Sequence, residues 1–216
     1  MRSFSKGCEQ AAISGMVLAQ PYLDYNRGDP AQGDGYVKIW EYNSFLVDPY
    51  FRNHDMSDCR VVWCQEYVSR EEAVERFGDK AKTMGSVSGS SQQYGNFYFL
   101  PENHDMARNN LLVVSYIWYK SKTKKKKLYS KKRQQFFDFA GDDFQSQLMM
   151  QAIPDLKLVE IEVPTWKVCL VLNDQLMYNG VNPLGFDDCP FVPIMWNYDP
   201  HISYSDLRVR SLLDRS

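Results

Sequence analysis

The sequence is poor in the features that mark secreted and membrane proteins. Its 216 residues include only five cysteines, an odd number without a Cys-x-x-Cys pair, so reduced and mostly packed thiols are expected. In a strand, Cys59 and Cys64 would point to opposite faces, which argues against a bridge between them. No run of about 18 apolar residues exists, and no apolar segment follows Met1–Lys6, which excludes a membrane span and a secretory signal. We therefore expect an intracellular chain with no lipid or export address and no membrane partner.

Residues for catalysis are also scarce. The three histidines, His54, His104 and His201, fall in separate polar loops without metal-ligand spacing, so surface histidines in turns are the expected reading. The sequence has no nucleophile elbow, no glycine-rich phosphate loop and no Cys-His pair in a recognisable frame. We expect neither an enzyme nor a cofactor, and no small-molecule substrate.

Charge is present but unevenly distributed. The formal net charge is only −2, yet the segment Lys120–Arg133, here called the basic strip, holds nine basic residues and no acidic one. The remaining 16 basic and 27 acidic residues leave the rest of the chain at −11. The strip supplies candidate nucleic-acid contacts: Lys122, Lys124, Lys125, Lys126, Lys127, Lys131, Lys132 and Arg133. The alternative is a solvated loop between strands, which also discourages edge pairing. The aromatic neighbours Tyr119, Tyr129, Phe136 and Phe137 alternate as core strands would, rather than as platforms that stack on bases.

The pattern of the whole chain predicts a single α+β domain, mostly antiparallel strands with a few short helices. A hydrophobic content of 44% is enough for one domain with a substantial core. Ser69 and Glu72 form a capping box at the start of a short helix that Gly78 ends. The predicted elements over 1–216 are a helix at 1–19, strands within 36–67, the capped helix at 69–78, a mobile loop at 79–110, strands within 111–196 and the start of a further helix at 205–216.

Several local signals refine this plan. Leu111–Lys120 is apolar on both faces, which predicts a central strand. Asn173–Asp174 is typical of a two-residue hairpin turn, and we expect a meander of strands over 158–178. The prolines of Pro190–Trp196 confine that segment to a sheet edge or an extended packing strip. Asp142–Ala152 is predicted to be helical.

Clustered carboxylates leave two interpretations open. Asp48, Asp55 and Asp58, with Glu66 further along, have the oxygen ligands that Mg²⁺ and Ca²⁺ prefer. Aspartates beside proline, asparagine and serine also bond the main chain of their own turns, which needs no metal.

The order of several short segments resembles one family, the portal (head-to-tail connector) proteins of short-tailed double-stranded DNA bacteriophages. The likeness runs from about Gly15 to Ser216, over the middle of a portal subunit. The segments that carry it are Phe45–Phe51, Asp55–Arg60, Val68–Ala73, Phe77–Gly78, Leu111–Lys120, Val168–Tyr178, Asn182–Gly185 and Cys189–Ile194. Leu207–Ser216 resembles the start of the long helix that follows in the family, without the family's glycine.

The resemblance implies a fold like the outer, wing-like region of a portal subunit and a structural role. Such a protein forms a ring of identical copies at one capsid vertex, through which double-stranded DNA is packaged and later ejected, and which joins head to tail. Its partners would be copies of itself, the capsid shell protein, and the terminase and tail or adaptor proteins, these last through regions outside this segment. It would be made in the host bacterial cytoplasm and end in the virion, and the 216 residues would be a fragment or the product of a split gene.

Two other functions remain open. One is a free-standing nucleic-acid-binding module that uses the basic strip. The other is a metal-dependent nuclease that uses Asp48, Asp55 and Asp58, with Glu66 nearby and the strip gripping the nucleic acid.

Overall fold

The computed structural model describes residues 2–24, 33–42, 44–83, 111–138, 148, 153, 155–182, 188–202 and 209–213. Its helices and strands are, in chain order, α1 Arg2–Ser14, β1 Met16–Asp24, β2 Asp34–Trp40, β3 Phe45–Val47, β4 Val61–Ser69, α2 Arg70–Phe77, α3 Asp79–Lys82, β5 Leu111–Ser130, β6 Gln135–Asp138, β7 Leu156–Leu172, β8 Gln175–Val181, β9 Val192–Met195, β10 Asn197–Tyr198 and β11 Val209–Arg210. Antiparallel strands dominate, with a few short helices, and the α+β class is confirmed.

The chain divides into two compact units, and the single domain stays a prediction. The first unit contains residues 1–119 and 166–216, and the second contains residues 120–165. Strands β5 and β7 contribute residues to both units, because each is far longer than the about 5–6 residues usual for a strand.

Three sheets have strands in the first unit, and the largest of them, with six strands, also includes β6 of the second unit. One has three strands in the order β2-β1-β9, and a two-stranded ribbon pairs β10 with β11. The largest runs β3-β4-β5-β7-β8, so β5 is central, as its two apolar faces predicted. Among the described strands, β9 lies at a sheet edge beside β1, which suits its Pro193.

Two apolar clusters form the core of this unit. One joins both larger sheets through buried residues that include Leu18, Trp40, Val62, Trp118 and Phe191. The other packs Ala73 of α2 and Ala81 of α3 against Val68, Leu112 and Leu172 of the sheet, and Val74 and Phe77 of α2 add to it.

The helix α2 occupies the place that the capping box indicates. The Ser69 hydroxyl accepts a 3.2 Å hydrogen bond from the Glu72 main-chain N–H. Gly78 follows with φ of 71° and donates its N–H to the Val74 carbonyl. The first residues of the predicted loop 79–110 form the short helix α3, which Thr83 follows, and residues 84–110 lie outside the described part of the chain.

Both predicted terminal helices need correction. The first ends at Ser14 rather than Ala19, because Gly15 takes φ of 91° and donates its N–H back to Ala11. The residues that follow form β1, the central strand of its sheet, in which Met16–Ala19 are buried. Within the predicted helix 205–216, Val209–Arg210 is a strand, β11. Its pairing with β10 outweighs the helical pattern of the local sequence.

The predicted meander changes in one of its parts. The segment 158–172, expected as two strands of a meander, is a single strand, β7. Pro164 is tolerated there because β8 pairs only with Lys167–Leu172, which leaves one edge of β7 without that neighbour at the proline. The turn at Asn173–Asp174 is present, with Leu172 opposite Gln175 and Asn173 at φ of 51°.

None of the five cysteines, all of which lie among the described residues, forms a disulfide bond. Cys59 lies before β4 rather than within a strand, so the argument from strand alternation does not apply to it, and it shares one apolar cluster with Cys64. Burial raises the pKa of both thiols above the ordinary value, which keeps them protonated and unreactive near neutral pH. The predicted helix Asp142–Ala152 lies outside the described residues except for Leu148.

Candidate nucleic-acid interface

Most of the basic strip lies on a strand, not in a loop as one reading of the sequence had it. Strand β5 continues through Ser130, and its side chains alternate in exposure. Lys120, Lys122, Lys124 and Lys126 are exposed and form what we call the lysine row, with about 6.7 Å between successive members. Lys125 and Lys127 are half-buried on the opposite face. The candidate contacts therefore divide between two faces of one ribbon.

The lysine row has acidic neighbours. Strand β7 lies beside β5 and exposes Glu160 and Glu162, two residues apart and so on one face. The Lys122 ammonium lies 3.8 Å from a Glu162 carboxylate oxygen. On the opposite face, the Thr123 and Thr165 hydroxyls are 2.7 Å apart, and Thr165 is buried. The exposed face of this ribbon is therefore of mixed charge.

The remaining cations lie in a tight turn. Residues Lys131–Gln134, here called the hairpin tip, connect β5 to β6 and are all exposed. The Lys132 main-chain N–H donates a 2.6 Å hydrogen bond to the Asp155 carboxylate, and the Arg133 N–H donates to the Ser130 hydroxyl at 3.3 Å. Gln134 takes φ of 51°, which closes the turn. Three consecutive cations thus project from a turn whose main chain is held at several points.

Aromatic side chains support the hairpin below the tip. Tyr129 lies opposite Phe136, and their ring centroids are 4.9 Å apart. Phe136 is 53% exposed, so it does not serve as the core residue that its alternation suggested. Leu128, opposite Phe137, is fully buried and does fit a core position.

The candidate cation-binding aspartates bond the main chain of their own loop. Both Asp58 oxygens accept main-chain N–H groups, from Arg52 at 2.6 Å and Asn53 at 3.0 Å. Asp55 accepts the N–H of the nearby residue Ser57 at 3.0 Å, and this bond lowers the pKa of the exposed carboxyl. These are the bonds that the turn interpretation predicts.

Asp48 also accepts main-chain N–H groups, and its side chain is buried. Its two oxygens accept the N–H groups of Tyr50 at 2.9 Å and Arg60 at 3.2 Å, which ties the loop back to the start of β4. His54 and His201 are exposed in turns, and His104 lies outside the described residues. Within the described ranges, no three His, Cys, Asp or Glu side chains converge as metal ligands would.

Glu66, the fourth carboxylate of the nuclease hypothesis, is instead enclosed by its own partners. It forms an ion pair with Lys38 of β2, and it accepts hydrogen bonds from Arg76 of α2 at 2.8 Å and the Tyr116 hydroxyl of β5 at 2.9 Å. Burial disfavours its charged form, but these bonds outweigh burial, so the pKa of Glu66 lies below its ordinary value. Burial and the Glu66 charge raise the pKa of Tyr116, which stays a neutral donor.

Sequence reasoning missed the partners of Glu66. Lys38, Arg76 and Tyr116 belong to three different elements, and Lys38 also lies 3.9 Å from the centre of the Trp40 ring. A periodic pattern reports only which face a side chain occupies, and no local signal links residues that are this far apart in sequence.

The geometry first defines a class. In the first unit, carboxylates hold turns and ion pairs together, and in the second unit, cations are exposed on a ribbon. Both features are typical of a structural or binding protein. No helix among the described residues has both the length and the apolar character needed to cross a membrane.

Comparison with known families then identifies the chain. The model of the phage P22-like portal protein family matches residues 2–210, and the chain belongs to this family. Its members are structural proteins, and membership indicates an oligomeric ring associated with a phage capsid. No curated protein matches the sequence.

Proposed function

We propose that this protein is part of the ring-shaped channel at one capsid vertex, through which phage DNA is packaged and ejected and to which the tail is joined. The match to the portal family over residues 2–210 is the observation that carries this proposal. A body stabilised by β-sheets and turn-capping carboxylates suits a passive wall, with the ATP-driven work done by a separate terminase. Capsid shell, terminase and tail or adaptor proteins are its proposed partners.

Gold labelling of the protein in virions of the phage that encodes it tests this role. A portal component should appear at one vertex of each particle and should be recovered with the purified capsid. Label distributed over all vertices, or absence of the protein from purified virions, would contradict the proposal. A particle that lacks the protein should also fail to package DNA, measured as protected DNA per capsid.

A second candidate function, direct contact with double-stranded DNA, is favoured by the exposed cations of the basic strip. The calculated charge of −11 for the rest of the chain repels DNA, so any contact is expected at this strip. Binding of a 30-base-pair duplex, measured by fluorescence anisotropy, should weaken steeply with salt because counterions are released from the phosphates. Absence of binding at 50 mM salt would exclude this contact.

A further inference from the structure

We infer that the hairpin tip, and not the lysine row, is the part of the basic strip that binds the DNA phosphate backbone. This inference rests on the proposed DNA contact and names the residues responsible: Lys131, Lys132 and Arg133. It divides a strip that is continuous in sequence into two parts with different roles.

The lysine row already has acidic neighbours. Lys122 is 3.8 Å from Glu162, and Glu160 lies on the same face of β7. A duplex laid on this face would bring phosphates towards two carboxylates, and like charges repel. The lysine row therefore attracts DNA much less strongly than its four positive charges alone would.

The tip also has a carboxylate neighbour, Asp155, but there three adjacent cations outnumber it. No salt bridge holds Lys131, Lys132 or Arg133 within the described residues, and all three side chains are exposed. The nearby Asp155 carboxylate accepts the main-chain N–H of Lys132. Three neighbouring cations repel one another, so an anionic partner relieves that repulsion.

The hairpin tip is held in one conformation before it binds DNA. Asp155 and Ser130 each fix a main-chain N–H of the turn, and the Tyr129–Phe136 ring pair supports the strands on either side of it. A rigid turn loses little conformational entropy on binding. The exposed Phe136 ring already contacts Tyr129, so the tip presents mainly charge, which suits a phosphate backbone better than an apolar protein pocket.

Two matched variants of the full chain test the inference. The tip variant carries Lys131→Gln, Lys132→Gln and Arg133→Gln, and the row variant carries Lys122→Gln, Lys124→Gln and Lys126→Gln. Both remove three positive charges, and the tip bonds survive because they use main-chain N–H groups. Circular dichroism and the urea midpoint should match those of the unaltered protein.

The readout is duplex binding between 50 and 200 mM salt. Each lost phosphate contact lowers the slope of log Kobs against log salt by about 0.9, so the tip variant should lose about 2.7 and the row variant less than about 1. Replacing Glu160 and Glu162 by glutamine should free the row and strengthen binding, whereas unchanged affinity would contradict the argument from the acidic neighbours.

The remaining outcomes separate this inference from the proposed contact. Duplex binding that the row variant weakens as much as the tip variant would overturn the inference alone. Absence of binding by the unaltered protein would overturn the proposed contact and the inference together. If the tip variant keeps its DNA affinity but loses assembly mass in light scattering, the tip contacts a second copy of the chain, and the inference is wrong.

Discussion

Replacing Glu66 by glutamine should destabilise the fold, because one carboxylate connects three elements. Glu66 of β4 binds Lys38 of β2, Arg76 of α2 and Tyr116 of the neighbouring strand β5. Glutamine has nearly the same shape but carries no charge. Lys38 and Arg76 bind different oxygens of Glu66, so the glutamine amide N–H₂ would face one of these two cations. The substitution therefore tests the charge rather than the packing.

The magnitude follows from the burial of the three groups. Removing one partner of a buried ion pair costs about 3–5 kcal/mol. The Glu66 side chain is 19% exposed, but Lys38 and Arg76 are 36% and 40% exposed, so water compensates for part of the loss. We expect a loss of about 2–3 kcal/mol at neutral pH, which for this chain length lowers Tm by about 5–10 °C.

The pH dependence has a definite sign. The pKa of Glu66 is lowered from its ordinary value of 4.5, so the folded state favours the ionised carboxylate. That stabilisation is fully present above the unfolded pKa and is lost as the pH falls through the lower folded pKa. The difference in stability between the unaltered protein and Glu66→Gln should therefore be constant near neutral pH and shrink below about pH 4.5.

Urea unfolding followed by tryptophan fluorescence, at pH 7 and at pH 4, measures this difference. Glu41→Gln is a matched control, because Glu41 pairs with Lys6 while both side chains are 62% exposed. An exposed pair of this kind is worth less than about 1 kcal/mol. If Glu66→Gln costs no more than Glu41→Gln, or if its cost grows as the pH falls, the reasoning is refuted.

Three further substitutions test the backbone. Gly15→Ala should cost about 1–3 kcal/mol in urea unfolding, since φ is 91° and the new Cβ would lie 3.3 Å from the Arg210 main chain; Gly35→Ala, with open space, should cost less. Ser69→Ala should lower stability by about 1 kcal/mol in a thermal melt, and an equal Tm would contradict its role as N-cap. Asn173→Ala should cost about 1–3 kcal/mol through the lost bond to β5 and the φ of 51°, and Asn173→Gly should recover part of that in the same assay.

The sequence correctly predicted the caps and turns that depend on interactions between residues close together in the chain. The capping box at Ser69, the stop at Gly78 and the turn at Asn173 each depend on neighbouring residues, and each is where the sequence places it. The central position of β5 followed from two apolar faces. The end of α1 was misplaced because a helical apolar pattern continued past Gly15, whose positive φ was not considered.

Longer elements escaped prediction because their extent depends on pairing. A lysine-rich sequence has little to bury, so it suggested a loop. Its residues are nevertheless strand, because β6 and β7 satisfy the main chain of β5 and leave alternate side chains to water. The same holds for β7, which continues through Pro164.

The sequence by itself determined the α+β class, the excess of negative charge outside the basic strip and the family resemblance, because these depend on composition, on short-range periodicity and on the order of local segments. Only the tertiary structure decided which charges meet. Lys122 faces Glu162 and Glu66 faces Lys38 because strands distant in sequence became neighbours. Coulomb energy depends on distance in space, so the electrostatic division between the lysine row and the hairpin tip could be read only from the folded chain.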